Sequence, residues 1–175
     1  DAAPTLAGGL RQQVLAHAAR LGVDPGGTRL DPADEDALDL VARLFEVMLD
    51  QSQLLPELRP VLGQLLVPVA KVALADPRLF VRESHPVRRL LNLVADACDG
   101  NPGETAAELA LLAQVRTVAE RVARDFDEHL GVFLAAETEF GAYYEQYRRR
   151  IEITERRAAE LQRAEERRAA ARARA

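Results

Sequence analysis

Residues 54–74 read LLPELRPVLGQLLVPVAKVAL, the most apolar run in the chain. Its Leu and Val residues fall around almost the whole circumference of a helix. A helix of that kind must be covered on most sides, because it has no polar face to turn to water. Glu57, Arg59, Gln64 and Lys71 interrupt the run too often for a membrane span. Pro56 and Pro60 suit a helix start, where a missing N–H costs little. Pro68 lies inside and predicts a kink, because its ring meets the carbonyl four residues back. The chain is therefore expected to wrap its other elements around a buried, bent rod.

Those elements also read as helices. Apolar residues make up 48% of the chain, charged residues 29%, and there is no Trp. Ala, Leu, Arg and Glu dominate, a composition that favours helix over strand. Leu6, Leu10, Val14, Leu15, Ala18 and Leu21 recur at helical spacing, and a Gly/Pro-rich loop follows at 22–27. Asp31-Pro32 then predicts a second helix start, with Leu38, Val41, Phe45, Met48 and Leu49 inside. The acidic run Asp34-Glu35-Asp36 complements the helix dipole and lacks the glycine and spacing of a calcium loop. Asp76-Pro77 ends the rod. Ser84 or His85 caps a helix with Val87, Leu90, Leu91, Val94 and Cys98 inside. The Asp99–Gly103 break precedes a long helix with Leu109, Leu112, Val115, Val118, Val122 and Phe126 as its stripe. The fold class is all-α, a bundle of about six helices.

From Leu130 the helical pattern barely stops. Phe140, Tyr144, Tyr147, Ile151, Thr154, Ala158 and Leu161 alternate four- and three-residue steps, a heptad-like seam that degrades after Leu161. A continuous helix from Phe140 onward would extend roughly 50 Å at 1.5 Å per residue, more than a small bundle can cover. We therefore divide the chain into a bundle at 1–139 and a long charged helix at 140–175. The net charge of −5 is uneven: ten Arg and five Glu lie from Arg148 on, leaving an acidic body and a basic tail.

Catalytic motifs are missing. No GxSxG, HExxH or phosphate-binding loop occurs, and Cys98 is the single cysteine, placed on an apolar helix face. No cofactor or metal is expected. Two polar features remain. His85, Arg88, Arg89 and Asn92 form the densest local cluster of His, Arg and Asn, a candidate ligand or enzymatic site, set against the plainer reading of arginines bridging to acidic neighbours. The arginine-rich tail invites nucleic acid, but Glu152, Glu155, Glu160, Glu165 and Glu166 interleave with its arginines and dilute the field. The favoured function is a non-enzymatic scaffold or interaction module. It would act by self-association or protein docking through Phe140, Tyr144, Tyr147, Ile151 and Leu161.

The words DALDLVARLFEVMLD (36–50), LLPELRPVLGQLLVPVAKVALADPRLF (54–80) and HPVRRLLN (85–92) resemble the DUF1631 family of bacterial proteins of unknown function. ITERRAAELQRAEERRAAARA (153–173) is similar to that family's ERR-rich helical segment. The resemblance implies an internal piece of a larger cytoplasmic protein. It also implies a link to second-messenger signalling, since longer relatives continue into a PilZ-like, cyclic-di-GMP-binding region. The D/NxSxxG element of PilZ is absent here, so no nucleotide site is carried over.

Overall fold

The computed structural model describes residues 8, 9, 12, 31–50, 53–127 and 129–174. Among them are six α-helices and one 3₁₀ turn, with no strand. They are α1 (Pro32–Leu49), α2 (Leu58–Gly63), α3 (Leu66–Ala75), the turn Pro77–Phe80, α4 (Pro86–Cys98), α5 (Ala106–Asp125) and α6 (Gly131–Ala173). The helix expected from Leu6 to Leu21 lies outside the described residues, apart from three positions.

The rod is two helices, where the sequence predicts one kinked helix. The break falls at Gln64–Leu65, and Pro68 sits in the first turn of α3. The carbonyl that Pro68 cannot satisfy, four residues back, is that of Gln64. There the backbone tightens: Gln64 N–H donates to the Val61 carbonyl and Leu65 N–H to the Leu62 carbonyl. The proline thus ends one helix and starts the next instead of bending a single one. Leu58, Val61, Leu62, Leu65, Val69 and Val72 are all buried. The stretch Leu58–Ala75 has the length and hydropathy of a membrane span, yet half of it is buried inside the bundle. That burial and its broken backbone mark it as core.

α1 packs against α2 and α3 on one side of the rod, and α5 covers the other. α1 buries Leu38, Val41, Phe45 and Met48, as its spacing requires. Asp31 occupies the cap position through its backbone only, its carbonyl accepting from the Asp34 and Glu35 amides. At the far end Asp76 adopts an extended backbone (φ −140°, ψ 88°), the geometry that Pro77 imposes on the residue before it. Leu79 in the turn then plugs the core.

α4, α5 and α6 form the second half of the bundle, and the contact between α4 and α6 is the most extensive of all helix pairs. At that contact Gly141 lies against the Leu93 side chain. α5 starts on a capping box: Thr105 Oγ1 accepts from the Glu108 amide, and Glu108 Oε2 accepts from the Thr105 amide. The expected α5 stripe needs one correction. Leu109 is 55% exposed, and Leu111 and Ala119 are buried in its stead. Leu111, Leu112, Val115, Val118, Ala119 and Val122 set the inward face, and at 3.6 residues per turn Leu109 lies outside it.

Phe45 has no exposed surface and bridges the rod to α1. Phe45→Ala is expected to destabilise the protein by about 3–5 kcal/mol, whereas exposed Leu161→Ala stays within about 0.5 kcal/mol. Urea unfolding of the two variants beside the parent chain measures the difference.

Candidate interaction surface and polar clusters

The four polar residues at the start of α4 separate into two pairs. His85 is the N-cap, 6% exposed; its Nδ1 accepts from the Val87 amide at 3.2 Å. That role leaves the proton on Nε2, which faces Asp76 Oδ2 at 3.3 Å. Arg88 turns the same way and donates to the Phe80 carbonyl at 3.2 Å. Asp76 is the hub: it caps the 3₁₀ turn through the Arg78 amide and also takes two bonds from the Arg78 guanidinium. The Arg78 side chain, bonded to the carboxylate, holds Asp76 down to about 2. His85, Arg88 and Asp76 therefore tie the end of the rod to the start of α4.

Arg89 and Asn92 turn instead toward α6. Arg89 pairs with Glu137 at 3.0 Å. Both line an open groove of about 620 Å³ between α4 and α6, together with Asp96, Tyr144, Glu145 and Arg148. Its carboxylates and guanidiniums offset one another, so it presents no concentrated field of either sign. It holds no Ser, Cys or His that could act as nucleophile or base. Among the described residues no group of His, Cys, Asp and Glu is placed to hold a metal ion.

Cys98 is buried, and desolvation pushes its thiol up to about 11. Sequence reading treats 99–103 only as a break, but Asn101 is a buried tie within it. Its side chain donates to the Ala97 and Glu108 carbonyls and accepts from the Gly103 amide at 2.9 Å. Gly100 (φ +62°) follows the end of α4 in the left-handed region, the usual conformation just past a helix end.

The long helix corrects the expected docking surface. α6 begins at Gly131, so its first turns are a bundle element, and Phe140 is 1% exposed. Phe140 is thus a core residue and is not presented to a partner. Tyr144 and Tyr147 are half-buried against the bundle, stacked in series with Phe140 at ring separations of 6.3 and 6.2 Å. Burial raises the pKa of both phenols above the ordinary tyrosine value, because it disfavours the charged phenolate. Beyond Tyr147 cover stops. Almost every residue from Glu152 to Arg174 is exposed, with Ile153 and Leu161 48% and 67% exposed. Glu145–Arg149 and Glu152–Arg156 are ion pairs at four-residue spacing along this stretch, glutamate first, the stabilising order.

A helical bundle that carries one long helix out past its packed part defines the class. The sequence matches the family model described as "Protein of unknown function (DUF1631) 2nd domain" over residues 1–129, and the chain belongs to that family. No curated protein and no solved structure matches it.

Cys98 and Asp76 each give a measurable outcome. Cys98 resists iodoacetamide at neutral pH in the folded chain and reacts once urea unfolds it, as mass spectrometry reads directly. A carboxylate held lower in the folded state than when unfolded contributes stability above its unfolded value, and that contribution is lost as pH falls. Asp76→Asn therefore lowers stability at neutral pH. Its deficit against the parent narrows between pH 3.8 and about 2, measured by urea unfolding along a pH series.

Proposed function

We propose that this domain is a non-enzymatic interaction module that associates with a second copy of itself, or docks a helical partner, through the part of α6 beyond Tyr147. The observation that carries this reading is the uncovered helix. An exposed helix that is polar nearly all round is stabilised mainly by pairing with another element or by i,i+4 ion pairs. The ion pairs Glu145–Arg149 and Glu152–Arg156 support its upper part. Ile151, Thr154, Ala158 and Leu161 continue the three- and four-residue alternation onto the free stretch. They supply a short apolar seam flanked by charges of both signs, the pattern of a modest helix pair. Tyr144 and Tyr147 sit at the root of that seam and orient it as the helix leaves the bundle.

Nucleic acid fits less well. The glutamates on the same stretch hold Arg149 and Arg156, and Arg148 lies over the Tyr144 ring at 6.0 Å. The groove beside Arg89 fits a catalytic reading no better, since Arg89 is held by Glu137 while His85 and Arg88 point away from it.

Sedimentation equilibrium tests the proposal on the 175-residue chain and on the chain ending at Ile151. The full chain is expected to associate with concentration, and the shortened chain to remain monomeric. Leu161→Asp weakens association by about tenfold or more, the effect of losing one leucine's burial. A monomer in every case would overturn self-association, and association that persists without residues 152–175 would move the surface elsewhere.

A further inference from the structure

The arginines on the free part of α6 are of two kinds. Arg149 and Arg156 are held by glutamates four residues before them. Arg150, Arg157 and Arg168 pair with no carboxylate among the described residues. These three fall in one row, Arg150, Ile153, Arg157, Leu161, Ala164, Arg168, whose three- and four-residue steps keep it on a single helix face. No glutamate interrupts it. The row borders the apolar seam, shares Leu161 with it, and takes in Ile153, the other large apolar side chain exposed beyond Tyr147. α1 carries the opposite pattern. Asp36, Leu40, Leu44, Val47 and Asp50 also lie in one row, with both carboxylates exposed and the apolar residues between them 48%, 41% and 69% exposed. The helix as a whole holds five carboxylates against Arg43.

We propose that the basic row of α6 seats on the acidic row of α1 in a second copy of the chain. The inference rests on the self-association proposed above and names the surface that receives the helix. Dimension and sign carry it. Ile153 and Leu161 stand roughly 12 Å apart along their axis, and Leu40 and Val47 roughly 10 Å along theirs. The two apolar stretches therefore overlay, which brings the outer arginines to Asp36 and Asp50. Arg157 falls between, where its stem covers Leu44 and its head stays in water. The receiving α1 belongs to another copy because α6 is one unbroken helix. Its part beyond Glu152 runs roughly 30 Å away from the bundle at 1.5 Å per residue and does not fold back. Two tails set row against row would oppose arginine to arginine, whereas α1 answers each end of the row with a carboxylate.

Charge reversal on each side, read by sedimentation equilibrium of the 175-residue chain at low salt, tests this. Arg150→Glu with Arg157→Glu is expected to weaken association by about tenfold or more, and so is Asp36→Lys with Asp50→Lys. An equimolar mixture of the two variants restores it, because each then meets a partner of opposite sign. That recovery also shows that both variants fold. Association of the parent that survives the α1 pair while loss of residues 152–175 abolishes it would overturn this inference and leave the proposed function standing, with the tail seated elsewhere. A mixture as weak as either variant alone would overturn it equally. A monomeric parent would overturn both. A monomeric parent that binds vesicles of anionic lipid through Arg150 and Arg157 would assign the row to a membrane surface instead.

Discussion

The structure depends on a rod whose apolar residues need cover from more than one neighbour. Residues 58–75 can be accommodated only if other elements close around them, and the core is built to that requirement. α1 seals one side and α5 the other, while Leu79 closes the end. Burial of this kind is worth about 25 cal/mol per Å² of apolar surface, far more than the isolated ion pairs on the outside, which contribute about 0–1 kcal/mol each. The break at Gln64–Leu65 belongs to the same logic. Pro68 withholds one backbone bond, and the chain recovers by starting a new helix whose first turn tolerates the proline. The rod thereby contributes helices on either side of a corner.

Polar ties then lock the elements that the apolar core only gathers. Asp76 binds the turn to Arg78 and to His85, and His85 in turn caps α4. Asn101 joins the end of α4 to the first turn of α5. Each is a polar side chain spent on backbone groups that helix ends leave unsatisfied. This accounts for the polar residues that most resemble a site: His85 and Arg88 are engaged in holding helix ends, and Arg89 is engaged by Glu137. Among the described residues α6 beyond Tyr147 is almost wholly exposed, and the bundle holds its root through Phe140, Tyr144 and Tyr147.

Much of this was legible in the residues. The spacing of Leu38, Val41, Phe45 and Met48 identified the inner face of α1, Asp76-Pro77 marked the end of the rod, and His85-Pro86 marked the start of α4. Each is a local rule, and local rules survive into the fold. The Thr105–Glu108 capping box is equally local, but it sets where α5 starts and not which face it buries. Other features were not local. The Arg89–Glu137 pair joins residues 48 positions apart, on helices whose crossing no periodicity reveals. Phe140 fits the heptad seam and the core stripe of the same helix equally well, and only the packing of α4 against α6 decides that it belongs to the core. The groove beside Asn92 is likewise a product of that crossing.

The account stands or falls on the rod being the sealed centre of one cooperative unit. Amide exchange measured residue by residue across the native protein tests this most directly. Amides between Val61 and Ala75 that lie inside α2 and α3 should exchange only by global unfolding, at the slowest rates in the chain and alongside those of α4 and α5. Rod amides that exchange by local opening, well before α4 and α5, would show the centre to be loosely covered and contradict the account.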